Sequence, residues 1–205
     1  MHKSAMRRMK WFVDNYIPRN EKVKVLDVGS YNVNGCYKSL FAGTQVEYVG
    51  LDITSGPNVD IVPKDPYSWD EIEDESFDFI ISGNAFEHIE YPWLTIKEIY
   101  KKLKPGGFIC ILAPFAHVEH RYPTDCYRYL SDGFIALAKW ANFQVIEATV
   151  GGVPKDTKDP EWFDSKENYD DTVLIAAKEV SDEVLSLLDC PKFGSTKLTR
   201  VWKIV

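Results

Sequence analysis

The run Val25-Leu26-Asp27-Val28-Gly29-Ser30-Tyr31-Asn32-Val33-Asn34-Gly35, VLDVGSYNVNG, decides the fold. Apolar, β-branched residues through Val28 spell a strand, and Gly29 breaks it with a turn in which backbone approaches a ligand without a side chain in the way. A helix is expected to begin near Gly35. Asp27 is the anomaly, a carboxylate inside a stretch that reads as buried. A second acid, Asp52 in YVGLDIT, falls at the end of the following strand, where a carboxylate accepts hydrogen bonds from both hydroxyls of a ribose. Either feature alone is equally well a tight turn or a strand-end acid. Together they point to a ligand containing a nucleoside.

Working outward, short β-branched runs alternate with helical ones. Strands are expected at Val23–Val28, Val46–Asp52, Phe77–Ser82, Gly107–Ala113, Phe143–Thr149 and Thr172–Lys178, with a weaker one at Val59–Val62. Pro92 opens a helix whose Leu94, Ile96, Ile99, Tyr100 and Leu103 recur at helical spacing, and Lys104-Pro105-Gly106-Gly107 is read as its stop. Ser131 is read as the cap of another helix, with Phe134, Leu137, Ala138 and Ala141 on one face. This alternation implies crossover units, a mostly parallel sheet with helices on both sides, and ligands at the carboxyl ends of its strands. Gly151–Asp171, rich in Pro, Gly, Asp and Lys, reads as a long loop or lid.

Composition narrows the function. A length of 205 residues suits one domain, and 45% hydrophobic and 14% aromatic residues suit a folded one. A net charge of −7 argues against nucleic acid or an anionic membrane as partner. Cys36, Cys110, Cys126 and Cys190 are scattered without a CxxC pair, so neither a disulfide framework nor a metal site is expected, and the thiols read as buried or idle. No stretch is long and apolar enough to span a bilayer. The expectation is a soluble, cytoplasmic protein, monomer or homodimer.

VLDVGSYNVNG, the acid in GLDI, FDFIISGNAFEHI and LKPGGFICILAP, in that order, resemble the successive motifs of class I S-adenosylmethionine-dependent methyltransferases over about Val23 to Lys178. HRYPTDCYRY, after the Gly107–Ala113 strand, further resembles a small bacterial-type subgroup of the type 11 branch, many of whose members are linked by association to sugars or cell-surface glycans. The resemblance implies a Rossmann-like α/β fold of seven strands and S-adenosylmethionine as cofactor. It also implies a single domain, 1–205, with an N-terminal lid helix in 1–20, a core in 23–178 and a C-terminal extension in 179–205. Asp27 and Gly29 match the loop that cradles the methionine portion, with Ser30 and Gly35 in the same turn. Asp52 and Ile53 match the ribose grip, Asp65 lies where the adenine amino group is met, and Gly83, Asn84 and His88 pass beside the cofactor. The family's further glycines are replaced here by Tyr31 and Val33, and Asn32 and Asn34 are expected to supply left-handed backbone instead.

In methyl transfer the sulfonium makes the methyl electrophilic, and the protein aligns the acceptor and removes its proton. Candidate proton acceptors are His117 and His120, with Asp125 either orienting a histidine or pinning the segment by pairing with Arg128. Arg121, Tyr127 and Arg128 are candidate substrate contacts, and Cys126 is read as packed. Gly83-Asn84-Ala85-Phe86 lacks the NPPY or DPPY run of enzymes that methylate base amines, and the Pro-Cys of cytosine-C5 enzymes is missing. These readings converge on a metal-independent transferase acting on O or N of a small molecule or sugar. The rivals are an NAD(P)-binding reductase, which would show GxGxxG, and a non-catalytic scaffold on the same fold.

Overall fold

In the computed structural model the described residues are 3–33, 35–150, 171–181 and 183. The central strand β1 (Val23–Val28) is apolar on both faces and buried throughout except at Lys24, as a strand flanked by helices on either side must be. β2 (Val46–Leu51), β3 (Phe77–Gly83) and β4 (Leu103–Pro114) run parallel to it. β5 (Gln144–Val150) and β6 (Asp171–Ala177) complete a six-stranded sheet in the order β2-β1-β3-β4-β6-β5, in which β6 is antiparallel to both of its neighbours.

Alternation along the strands divides the core into two layers. Leu26, Ile80, Ile109 and Leu174 face Ile96 and Ile99 of α2 (Pro92–Lys102) and Phe134 and Ala138 of α3 (Ser131–Trp140). Val25, Phe79, Ile81, Cys110 and Ile175 face Met9, Phe12 and Val13 of α1 (Lys3–Tyr16), with Tyr37 and Phe41 completing that layer. α1 is further tied to β5 by a buried ion pair of Arg8 with Glu147. Its apolar stripe is built into the body of the domain, so a lid movement would have to break this layer.

Several expectations are corrected. Among the described residues there are six strands, not seven: Val59–Val62 makes only the bridge Leu51–Ile61, because the Asp60 carboxylate takes the Gly50 N–H at 2.8 Å and Pro63 follows at once. The helix expected near Gly35 is a single 3-10 turn, Tyr37–Phe41, closed by the Thr44 hydroxyl on the Phe41 carbonyl at 2.6 Å. The Lys-Pro-Gly-Gly run does not separate α2 from the next strand. β4 starts at Leu103 and absorbs the run, with Gly106 at φ 82 and a register shift between Phe77 and Phe79. α3 has Leu130 as its N-cap and no side-chain cap, so Ser131 lies inside the helix. The 151–170 loop and nearly all of the C-terminal extension lie outside the described residues.

Candidate functional site at the carboxyl ends of the strands

The loops after β1, β2 and β3 and the long segment after β4 meet along one edge of the sheet. Gly29 turns the chain out of β1 at φ 81, and a Cβ placed there would lie 2.3 Å from Ala85 Cβ, so the first and third loops touch where only glycine fits. Gly83 is constrained by space alone, since its φ is ordinary but a Cβ would meet the buried Tyr37 side chain, its hydroxyl at 2.0 Å and its ring at 2.6 Å. Asn32 supports the turn differently from expectation. It is not left-handed; its side-chain oxygen accepts the Gly35 N–H at 2.8 Å, and Gly35 itself takes φ 133. Asn34 lies outside the described residues.

Asp27 sits at the end of β1, buried, and accepts a hydrogen bond from the Tyr48 hydroxyl. Burial pushes its carboxyl up to about 7, against the pull of that hydrogen bond, and the Asp52 charge adds to the rise. Asp52 is half-buried at the mouth, one oxygen accepting the Tyr31 N–H at 3.0 Å and the other the Thr54 N–H at 3.2 Å. Two backbone amides from different loops thus fix its plane and leave further lone pairs for a ligand. Tyr31, whose N–H it accepts, and Ile53, next in sequence, carry exposed apolar side chains, as does Val33 further along the first turn.

The remaining residues read as cofactor contacts differ in what they are free to do. Ser30 is buried, and its hydroxyl is taken by the Asn58 carbonyl at 3.1 Å. Asp65 is exposed and caps its own turn through the Tyr67 N–H at 2.7 Å. Asn84, at φ 54, gives its amide N–H to Asp171 at 3.3 Å, while its side-chain oxygen is buried without a partner.

The segment after β4 carries the expected acceptor-side residues. Arg128 grips both oxygens of Asp125 at 2.6 and 2.8 Å and reaches the carbonyls of His117, Tyr127 and Val118. Those bonds to Arg128 hold the Asp125 carboxyl well below the usual carboxylate range. Asp125 also accepts the His120 backbone N–H at 2.7 Å. The pair is therefore a staple for the segment, and the guanidinium is spent on it. Arg121 is exposed and bound to Glu119 at 2.7 Å, and the Tyr127 hydroxyl donates to the Glu90 carbonyl at 2.8 Å. Cys126 is exposed rather than packed.

His117 and His120 stand edge to face, ring centroids 4.6 Å apart, and His88 meets His120 in the same manner at 4.9 Å. His88 belongs to a short 3-10 turn, Phe86–His88, whose middle residue Glu87 is a buried acid beside these rings that the sequence analysis did not single out. Glu87 is 1% exposed, and burial pushes its carboxyl up to about 8. The only sequence signal was its place in FEHIE; the partner His120 is 32 positions after His88 and is brought in by the loop.

Comparison with known proteins fits this architecture. Residues 26–111 match the family described as a methyltransferase domain. A reducing polyketide synthase of Botryotinia fuckeliana is 27% identical over 121 residues, a match taking in 49% of this chain and 5% of the synthase, so this chain spans a small part of that relative's length. Among solved structures, a Burkholderia thailandensis 1,6-didemethyltoxoflavin-N1-methyltransferase, solved with bound 1,6-didemethyltoxoflavin and S-adenosylhomocysteine, superposes with TM-score 0.62 at 18% identity over 86% of this chain and 79% of its own. SpnF, a (4+2)-cyclase, superposes with TM-score 0.63 at 15% identity over 86% and 82%. Such likenesses speak for the fold, which hosts more than one chemistry. Residues 26–111 thus carry a match to the methyltransferase-domain family, on a sheet that shares the fold of solved methyltransferases such as the toxoflavin enzyme.

Proposed function

We propose that this chain transfers the methyl group of S-adenosylmethionine to an oxygen or nitrogen atom of a small molecule or sugar. The observation that carries the reading is Asp52, a strand-end carboxylate held in plane by two backbone amides and bordered by exposed apolar side chains. That arrangement suits a ribose edge with an adenine beside it. Asp27, across the glycine turn, suits the ligand's ammonium group. The glycines of a GxGxxG reductase turn are absent, which disfavours a nicotinamide.

The acceptor lies toward the segment after β4. Its lone pair attacks the methyl carbon as the carbon–sulfur bond breaks, the bonding pair staying on sulfur to leave a neutral thioether. A hydroxyl acceptor gives its proton to the imidazole pair His117–His120. Asp125 and Arg128 hold that pair in place. The described cysteines are free, in keeping with a reducing, cytoplasmic setting. Among the described residues no helix is long and apolar enough to cross a membrane.

The test is incubation with methyl-labelled S-adenosylmethionine and a panel of nucleotide sugars, glycans, phenols and amines. Acceptor-dependent formation of S-adenosylhomocysteine is expected, with His120→Ala slower by roughly 10²–10⁴ on a hydroxyl acceptor. Cofactor binding without turnover on any acceptor would favour the scaffold reading.

A further inference from the structure

Glu87, His88 and His120 place one ligand atom each within 4.8 Å of one another. Glu87 Oε1 is 3.6 Å from His88 Nε2 and 3.9 Å from His120 Nε2, too far for hydrogen bonds. The outer ring nitrogens explain the orientation. His88 Nδ1 lies 2.6 Å from the Thr124 carbonyl and His120 Nδ1 3.2 Å from the Val118 carbonyl. Carbonyls only accept, so in the neutral rings each Nδ1 carries the hydrogen and each Nε2 turns a lone pair inward. The Glu87 carboxyl and two imidazole lone pairs therefore face one another, and only a proton on that carboxyl would stand between them. The carboxylate is almost wholly buried, and its Oε2 has no partner. Asn84 Oδ1, on the same loop, is a second buried oxygen without one.

We propose that Glu87, His88 and His120 form a site for a first-row divalent cation of the zinc or manganese class. Two imidazoles and one carboxylate suit such an ion better than magnesium or calcium, which favour oxygen-only shells. Tetrahedral bonds of about 2.0–2.2 Å put ligand atoms about 3.3–3.6 Å apart, so the Glu87 pairs at 3.6 and 3.9 Å need only a small closure, and the two ring nitrogens, within 4.8 Å of each other, a closure of up to about 1.5 Å. The framework is braced on both sides. The Cys126 N–H donates to the Glu87 carbonyl at 2.7 Å, and the Thr124 hydroxyl to that of His88, also at 2.7 Å. His120 is 28% exposed, so the cluster is reached from solvent on that side, and an oxygen of the acceptor would fill the remaining coordination position.

That last role rests on the methyl-transfer reading. A hydroxyl bound to the cation loses its proton more readily, and with His120 engaged as a ligand the proton passes to His117.

The test is calorimetric titration of chelator-stripped protein with zinc, manganese and magnesium chlorides, together with the visible spectrum of the cobalt-loaded form. One zinc or manganese ion per chain is expected, with magnesium much weaker. His120→Ala and His88→Ala should each weaken binding by more than about 100-fold while keeping a cooperative melt, and should abolish the cobalt bands of a tetrahedral site. Glu87→Gln should weaken it likewise if it folds; the two histidine variants decide the matter without it. Absence of stoichiometric binding to the wild type, or binding unchanged in both histidine variants, overturns the site and leaves a proton as the occupant of the cluster. Cation binding is read without S-adenosylmethionine and S-adenosylmethionine binding without the cation, so this site and the methyl-transfer reading fail separately.

Discussion

The Tyr48 hydroxyl donates a hydrogen bond to Asp27, a buried carboxyl that titrates near 7 against 3.8 in the unfolded chain. Between those values the folded state keeps a proton that the unfolded state has lost. The stability this group contributes is therefore greatest below the lower value, falls as pH rises, and is flat above about 7. Denaturant melts across that window should show a wild-type stability that declines relative to Asp27→Asn, which cannot titrate. Tyr48→Phe removes a donor that favours the charged form and should move the decline to higher pH. Parallel curves for wild type and Asp27→Asn would contradict the assignment.

That buried acid was legible in the sequence because a charge inside VLDV has no other easy reading, and the edges of β1 were legible for the same apolar contrast. The reversal of β6 was not. A strand buried on both faces, as Asp171–Ala177 is, carries no period to reveal its direction. The Lys-Pro-Gly-Gly run misled because Gly106 bends the strand without ending it. At the site, Asp52 and the glycine turn were visible as local patterns, whereas the meeting of Glu87 with His120 depends on the loop staple of Asp125 and Arg128.

Gly29→Ala should cost about 1–3 kcal/mol, since its methyl would fall inside the radius of Ala85 Cβ and its φ of 81 disfavours a side chain. Adding Ala85→Gly removes the clash but not the backbone strain, so the double variant should recover part of the melting temperature. Full recovery, or none, would show that only one of the two causes operates.

Arg128→Lys keeps the charge and loses the fork that holds Asp125. We expect faster hydrogen exchange in residues 115–130 and a melting temperature lower by several degrees, the scale of about 1–2 kcal/mol in a domain of this size. The sign with pH is opposite to that of Asp27. Asp125 is held below its ordinary 3.8, so its contribution is present above that value and is lost as pH falls through the lowered one. Acid melts of wild type and Arg128→Lys should therefore converge. Exchange unchanged in the variant would remove the staple from the account.

Whether the mouth built by Gly29, Asp27 and Asp52 holds S-adenosylmethionine is tested most directly by calorimetric titration of the full chain with that compound. One site per chain is predicted. Asp52→Asn should weaken it by about 1.5–3 kcal/mol, the scale of hydrogen bonds to a charged group, while its melt stays close to wild type. No binding of S-adenosylmethionine or S-adenosylhomocysteine by the folded wild type, or an affinity untouched by Asp52→Asn, would contradict it.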